Sequence, residues 1–437
     1  MDKYPEMKKS GVPWADTIPS SWSVRRGKTI LALLNRPIKD DDEIITCFRD
    51  GEVTLRKNRR EEGFTVALQE NGYQGIEPGD LVVHGMDGFA GAIGISDSRG
   101  KATPVLNVME SSQNKKFLMY YLRALAYKDV FMSLSTGIRV RSCDLRWNKL
   151  AVLSFIIPSL PEQAAIVSYL DDQLAQIDSL IAEAQASIDD YSVWRKAVIF
   201  EAVTKGLNPA AKLRDSGIEW LGKIPADWRM VRITRILDYS HPYPIGDGDH
   251  GLVKPSDYLE FGIPYIRVQN VGWGTEIALD NIVYISEETN AKISSSTLRP
   301  NDILFAKTGA TIGKTGIIPE SIPIANTTSH VGKITIQNKY NPKFILYVLS
   351  SQVGYNQFWE AAAKKTTRPE LSIDEIKATK VLLPPTRAEQ DSIVEYLERR
   401  ITEIDGMLSE KQKIITDLEA YKRSLIYEAV TGKRKVV

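Results

Sequence analysis

Two long stretches of the chain carry its most regular pattern of hydrophobic and polar positions. In residues 161–205 and 387–433, apolar side chains recur mostly in steps of four and three, and no proline interrupts either stretch after its start. This narrow apolar stripe predicts two long helices with a coiled-coil seam. The seam positions are Ile166, Leu170, Leu174, Ile177, Ile181, Ala184, Ile188 and Tyr191 in the first helix, and Ile393, Leu397, Ile401, Ile404, Leu408, Ile415, Leu418 and Leu425 in the second.

The length of these helices bears on what they pack against. A helix of about 45 residues is about 67 Å long at 1.5 Å per residue, which is more than one small domain can cover. The simplest partner for each helix is therefore the other one. The alternative is that each helix packs back on its own globular domain.

Two groups of residues recur in the second half of the chain. The proximal group returns 206 positions later and the distal group 227 positions later, so the second copy is 21 residues longer between its ends. Internal repetition of this kind predicts two units built on one scaffold. The proximal group is Ser10, Gly11, Trp14, Ile18, Pro19 and Trp22, and the distal group includes Glu162, Gln163, Ile166, Leu170, Ile177, Glu201, Ala202, Val203 and Thr204.

The parts of the chain outside the long helices mix short β-rich runs, such as residues 80–84 and 302–305, with short helices. We therefore predict an α+β fold arranged as a pseudo-twofold tandem repeat. It contains two similar globular domains, 1–158 and 207–384. They are separated by two long spacer helices, 159–206 and 385–433, which pair as an antiparallel coiled coil.

Composition narrows the class of protein. A hydrophobic content of 43% favours folded cores, and neither a secretion signal nor a run of about 18 apolar residues is present, so we expect a cytoplasmic protein with no membrane contact. The histidines do not stand in zinc-ligand spacing with Cys47 or Cys143, so no metal is expected. The net charge of +1 hides a partition, because the two helices together are acidic and the remainder carries +8.

One segment superficially resembles a phosphate-binding loop. Residues 302–315 read as a strand followed by a glycine-rich turn, but Gly309 and Gly313 enclose three residues where the motif requires four. The segment also aligns with residues 80–95 at an offset of 222. At the positions of Lys314 and Thr315, the first copy has Ala92 and Ile93. The shared feature is a glycine turn. No catalytic motif appears elsewhere, so the sequence favours a protein that is not an enzyme and has no catalytic residues.

Basic residues interleaved with Asn, Thr and Gln favour binding to nucleic acid, because cations anchor phosphates and polar side chains read base edges. Arg141 and Arg368 stand 227 positions apart, just before the return to each long helix. Any single cation can equally be an ordinary solvated side chain. The candidate DNA-binding residues are Arg56, Lys57, Arg59, Arg60, His84, Arg139 and Arg141 in the first copy, and Arg267, Asn270, Lys307, Thr308, Lys314, Lys364, Lys365 and Arg368 in the second.

Taken together, these motifs resemble the specificity subunit of a type I restriction-modification system. The resemblance rests on Ser10-Gly11 through Trp22 and its copy at 215–228, on the turn at 79–84, and on the helix openings that contain Glu162-Gln163 and Glu389-Gln390. It covers nearly the whole chain. The 21 extra residues of the second copy depart from strict twofold likeness, so no base-by-base transfer from relatives is made.

The resemblance implies that DNA recognition and catalysis reside on different subunits. Each globular domain, 1–158 and 207–384, would be a target-recognition domain that reads one half of a split double-stranded DNA target. The helices would set the spacer and dock two methylation subunits. Those partners would hold S-adenosylmethionine and methylate adenine, and motor-nuclease restriction subunits would cleave, so this chain would hold no cofactor itself. The competing hypothesis is a coiled-coil scaffold whose repeated domains bind protein partners.

Overall fold

The computed structural model describes residues 4–59, 70–133, 145–363 and 369–436. They form two compact units, and the boundary between the units falls inside both long helices. Unit 1 comprises residues 1–186 and 411–437, and unit 2 comprises residues 187–410. No helix among the described residues is long and apolar enough to cross a membrane. The same residues contain no group of three or more His, Cys, Asp or Glu that could hold a metal ion.

Unit 1 is built around a four-stranded antiparallel sheet in the order β4-β11-β8-β9, with helix α1 packed on it. Smaller antiparallel pairs join β1 to β2, β5 to β6, β7 to β10 and β3 to β12. The strands are β1 (Met7–Val12), β2 (Ala15–Pro19), β3 (Ser23–Arg26), β4 (Leu31–Leu33), β5 (Ile45–Cys47), β6 (Val53–Leu55), β7 (Gln74–Ile76), β8 (Leu81–His84), β9 (Ile93–Ile95), β10 (Gly100–Ala102), β11 (Leu106–Ser111) and β12 (Ser154–Ile157). The helices are α1 (Lys115–Tyr127), α2 (Val130–Ser133), α3 (Trp147–Val152) and the first part of α4 (Leu160–Lys205).

Unit 2 has a five-stranded sheet in the order β16-β23-β20-β21-β18 and a three-stranded sheet in the order β19-β17-β22. The pairs β13 with β14 and β15 with β24 correspond to β1 with β2 and β3 with β12. The strands are β13 (Leu213–Asp215), β14 (Lys223–Pro225), β15 (Arg229–Arg232), β16 (Ile245–Asp247), β17 (Ile263–Ile266), β18 (Trp273–Glu276), β19 (Val283–Ile285), β20 (Ile303–Ala306), β21 (Thr315–Ile317), β22 (Asn326–Thr327), β23 (Val331–Ile334) and β24 (Lys380–Leu383). The helices are α5 (Glu287–Lys292), α6 (Pro342–Ser350), α7 (Gln352–Ala362), α8 (Ile373–Ala378) and the first part of α9 (Arg387–Val430).

In each unit, one strand pair joins a strand of the proximal repeat to a strand of the distal repeat. Strand β3 belongs to the proximal repeat and β12 to the distal one, and they pair antiparallel. Strands β15 and β24 do the same in unit 2. Chain segments that lie more than a hundred residues apart therefore close each domain just before its long helix begins. This pairing explains why both ends of the repeat are alike while the segments between them differ.

The long helices run antiparallel within each unit. In unit 1, Asp178 of α4 accepts a hydrogen bond from Lys422 at 2.5 Å, and Tyr169, earlier in α4, contacts Arg434, just beyond the end of α9. In unit 2, Arg195 of α4 contacts Asp405 of α9 at 2.9 Å, and a Cβ atom at Gly206, just past the end of α4, would stand 3.7 Å from Oε1 of Glu389 at the start of α9. The α+β fold class with paired long helices is confirmed.

The seam residues also belong to the domain cores, so both packing alternatives are partly realised. Ile166, Leu170, Leu174 and Ile177 lie in one core with α1 and with Leu425 of α9. In unit 2, the seam residues 393–404 share a core with α6 and with residues 198–203 of α4. Each unit therefore includes the start of one long helix and the end of the other.

Candidate nucleic-acid interface

Both units present a glycine turn on the same backbone frame. The turn joins β8 to β9 in unit 1 and β20 to β21 in unit 2, and the register is equivalent, with Leu81 opposite Ile95 and Ile303 opposite Ile317. Gly91 and Gly313 hold φ angles of +99° and +96°, which side chains rarely tolerate. Strand β21 follows the second turn where a phosphate-binding loop requires a helix. This segment therefore lacks the helix that a phosphate-binding loop requires.

In unit 1, His84 shapes its own turn. Its Nδ1 accepts hydrogen bonds from the backbone amides of Met86 at 3.2 Å and Asp87 at 2.9 Å. In the neutral ring the proton then lies on Nε2, which is a donor. Burial lowers the pKa of His84, so the neutral form is favoured. Asp87 in turn accepts a hydrogen bond from Arg49 at 2.9 Å, and Met86 is exposed.

In unit 2, the three predicted residues of the turn have different environments. The Lys307 side chain is buried and its ammonium pairs with Asp247, with Glu370 3.8 Å away, so it links the turn to the rest of the domain. Thr308 Oγ1 lies 3.5 Å from His330 Nδ1. The ammonium of Lys314, which is half-buried, has no hydrogen-bond or ion-pair partner among the residues the structure describes.

Arg267 and Asn270 build the loop that follows β17. Asn270 is 1% exposed, and its side chain accepts from the Arg267 amide at 3.0 Å and donates to the Ala278 carbonyl at 3.0 Å. Arg267 donates to the Asn281 carbonyl at 2.7 Å and lies over the Tyr258 ring. In this conformation the Asn270 amide is enclosed by its own loop. Its assignment as a base reader stays a prediction.

The basic cluster of unit 1 follows β6 as a short 3-10 helix, Arg56–Asn58. Arg56 donates to Thr46, and Lys57 pairs with Glu43. Arg59 pairs with Asp50 at 2.6 Å and with Glu52 at 2.9 Å, and it also stacks over Phe48. Surface ion pairs such as these contribute about 0–1 kcal/mol, so a phosphate can replace the carboxylates at little cost.

Six predicted residues lie outside the described residues. They are Arg60, Arg139, Arg141, Lys364, Lys365 and Arg368. The segments that contain Arg141 and Arg368 follow α2 in unit 1 and α7 in unit 2. Their proposed contacts with DNA stay predictions made from the sequence.

Sequence reasoning missed two exposed aromatic residues beside the unit 2 turn. Trp273 and Tyr355 are 49% and 38% exposed, and their ring centres are 6.5 Å apart. Trp273 stands between Gly272 and Gly274. A large aromatic residue between two glycines has few neighbouring side chains to cover it, and this was the signal available in the sequence.

The described geometry defines a protein with two α+β units that carry different side chains on one repeated frame. Residues 226–416 match the family model described as the type I restriction modification DNA specificity domain. The specificity subunit of the type I restriction enzyme EcoBI from Escherichia coli is 27% identical over 367 residues, covering 82% of this chain and 74% of that protein.

Two further comparisons cover more of the chain. The specificity subunit of the EcoKI enzyme from Escherichia coli strain K12 is 21% identical, over 96% of this chain and 90% of that protein. A chain from a solved structure concerned with assembly of the type I R-M system superposes with a TM-score of 0.69 at 14% identity, over 95% of this chain and 99% of that one. The structural likeness shows the shared fold. The chain is thus similar to type I restriction enzyme specificity subunits over most of its length, and residues 226–416 match the DNA specificity domain, as the sequence resemblance predicted.

Proposed function

We propose that this chain is the sequence-specific DNA-recognition subunit of a type I restriction-modification complex. Each unit reads one half of a bipartite target in double-stranded DNA. The observation that carries the proposal is the match of residues 226–416 to a DNA specificity domain, together with the repeat of that domain's frame in unit 1.

The side chains on the two frames support two different half-sites. The unit 1 turn presents His84, Met86 and Asp87, whereas the unit 2 turn presents Thr308 and Lys314. A donor such as the His84 Nε2–H and a cation such as Lys314 match different base-edge patterns in the major groove. Two unlike readers on one protein are expected to recognise two unlike sequences, because target symmetry follows protein symmetry.

The chemistry of the complex is assigned to partner subunits. This chain is proposed to be non-catalytic and to act with two methylation subunits, which bind S-adenosylmethionine and methylate adenine. Motor-nuclease restriction subunits are proposed to join for cleavage. The paired long helices are proposed to set the spacing between half-sites and to dock the methylation subunits, in the cytoplasm.

Binding to duplex DNA under varied salt tests this function against the coiled-coil scaffold hypothesis. The full chain, alone and with methylation subunits, is incubated with a random duplex library, and the bound DNA is sequenced. A recognition subunit enriches a split motif and loses affinity as salt rises, because phosphate contacts release counterions. A scaffold for protein partners shows neither enrichment nor a salt-dependent affinity.

A further inference from the structure

Trp273 and Tyr355 form an exposed surface on unit 2, which we call the aromatic face. Trp273 begins β18, the edge strand of the five-stranded sheet, and Tyr355 lies on α7. Tyr355 also packs edge-on against Trp359, with ring centres 5.9 Å apart and planes at 61°. The half-buried Trp359 therefore supports the aromatic face, while the rings of Trp273 and Tyr355 stay open to solvent.

The glycine turn is shaped to lie against these rings. A Cβ atom at Gly313 would stand 2.7 Å from Tyr355 Cδ2 and 3.4 Å from Trp273 Cζ3. Only a residue without a side chain fits at this distance, and its φ of +96° also favours glycine. The turn that was predicted to read DNA and the aromatic face therefore form one continuous surface.

The surroundings of the aromatic face favour a polyanion with apolar groups. Lys314 follows Gly313 directly, and its ammonium lacks a carboxylate partner among the described residues. At the tip of the turn, Gly309 is half-buried and Ala310 is exposed. Two backbone hydrogen bonds fix the turn, one from the Gly309 amide to the Pro369 carbonyl and one from the Leu371 amide to the Lys307 carbonyl. A cation next to exposed rings suits a phosphate next to a sugar or a base.

Unit 1 does not repeat this surface. At the 227 offset, Lys128 occupies the position of Tyr355. A Cβ atom at Gly91 would stand 2.7 Å from the Arg49 carbonyl and 3.7 Å from the ring of Tyr127, which is half-buried and has the Arg423 guanidinium 5.6 Å from its ring centre, so unit 1 lacks a pair of exposed rings here. An aromatic contact with DNA would therefore belong to one half-site only.

We propose that the aromatic face packs against an apolar group of the DNA half-site read by unit 2, either a thymine methyl group or the face of a deoxyribose, while Lys314 contacts an adjacent phosphate. This inference rests on the proposed DNA-recognition function. Apolar side chains discriminate thymine through its methyl group in the major groove, whereas packing on sugar carries no direct sequence information.

The test compares variants of the full chain, assembled with its methylation subunits, on the bipartite duplex selected by the wild type. Trp273→Ala and Tyr355→Ala are expected to weaken binding by about tenfold to a hundredfold, and Trp273→Phe by less. Tyr239→Ala is the matched control, because Tyr239 is 66% exposed in the same unit but lies away from the glycine turn. Its neighbour Asp238 bonds Thr335, and Thr335 bonds Asp302 at the start of β20, whereas the turn follows the end of β20. The control is expected to bind within about twofold of the wild type, since surface substitutions away from an interface change little.

Replacing each thymine of the half-site by uracil distinguishes the two apolar groups. If one uracil position weakens wild-type binding and adds nothing in Trp273→Ala, the contact is a thymine methyl. If no uracil position matters while both alanine variants lose affinity, the contact is deoxyribose. If the wild type binds its split site and both variants bind equally well, the inference is overturned and the proposed function stands. If the wild type binds no DNA, the proposed function itself fails.

Photocrosslinking covers the case in which an alanine variant does not fold. Wild-type complex is irradiated on duplexes with 5-bromouracil in place of thymine in the unit 2 half-site, and the crosslinked peptides are sequenced. Crosslinks at Trp273 or Tyr355 support a methyl contact. Crosslinks confined to other parts of unit 2, together with unchanged binding by Trp273→Phe and Tyr355→Phe, contradict the inference.

Discussion

The side-chain carbonyl of Gln163 accepts a hydrogen bond from the backbone amide of Asn114 at 2.9 Å, and Gln390 repeats this bond to Asn341 at 2.8 Å. Both glutamines are buried at the start of a long helix. Both asparagines cap a short helix, α1 or α6, by accepting two backbone amides. The repeated glutamine therefore ties each long helix to the cap of its own domain.

Removing this bond is expected to destabilise one unit at a time. Gln163→Ala removes the hydrogen-bond partner of the half-buried Asn114 amide, which is expected to cost about 1 kcal/mol in the free energy of unfolding. Gln390→Ala is expected to cost the same in unit 2. Urea unfolding followed by hydrogen exchange in each unit measures both. Gln176→Ala is the control, because Gln176 is exposed and its side chain bonds the exposed Asp172 of the same helix. An equal loss of stability in that variant would contradict this role of Gln163 and Gln390.

The second prediction concerns the buried pair of Asp302 and Lys333. The two side chains are 1% and 0% exposed and lie 3.7 Å apart, and burial raises the pKa of Asp302 and lowers the pKa of Lys333. Desolvation thus opposes both charges. Lys333→Met is expected to cost about 3–5 kcal/mol, because it leaves a buried carboxylate unpaired.

The double variant Asp302→Asn, Lys333→Met is expected to recover much of that loss, because no buried charge remains unpaired. Thermal unfolding of the wild type, both single variants and the double variant measures the coupling. A double variant as unstable as the sum of the two single variants would show that the pair is not coupled.

The third prediction is a pH dependence of unit 1 stability. Burial lowers the pKa of His84 in the folded state, below the value of about 6.5 expected for an unfolded chain. As pH falls through about 6.5, the unfolded chain takes up a proton that the folded chain resists, so stability is lost toward acid and is unaffected above this range. His84→Asn keeps an acceptor for the turn and cannot titrate.

Hydrogen exchange of unit 1 between pH 7.5 and 5 measures this effect. The His84→Asn variant is expected to lose less stability over the acid range than the wild type. An identical slope in the two proteins would show that His84 does not titrate differently on folding.

The fourth prediction concerns the two arginines that stand at equivalent positions of the repeat. If Arg141 or Arg368 reads a base, its change to alanine is expected to weaken binding by about 1–3 kcal/mol and to relax specificity in one half-site only. Competition binding with single-base variants of each half-site measures this. A uniform loss across all sequences would assign the arginine to a phosphate, and no change would remove it from the interface.

The parts of the fold that follow from repetition and periodicity were predictable. Most of the predicted seam positions are buried residues of the two long helices, and the others, Ile181, Ile188, Tyr191, Leu408 and Leu418, are half-buried. Gly91 and Gly313 fall at equivalent turns because their positive φ angles favour glycine. The role of Lys307 was not predictable. Its cationic side chain suggested an exposed contact, but its carboxylate partner, Asp247, is 60 residues away in sequence and only tertiary packing brings them together.

The aromatic face illustrates the same limit. Trp273 and Tyr355 are distant in sequence, and each alone is an ordinary core candidate. Their exposure depends on β18 being an edge strand and on the turn at Gly313 lying against them. Sequence patterns report which residues are apolar, whereas sheet order decides which of them stay uncovered.

The central claim is that two unlike readers are held at a set distance by the paired helices. It is tested most directly by methylome sequencing of a host that carries the system, with the wild-type chain and with a variant that has seven residues inserted after Ala186 and after Glu410. We predict methylated adenines in a split motif with two unlike halves and a fixed gap. We further predict that the variant keeps both halves and widens the gap by about three base pairs, since seven helical residues add about 10.5 Å. A continuous motif, or a gap that stays constant when both helices are lengthened, would contradict the claim.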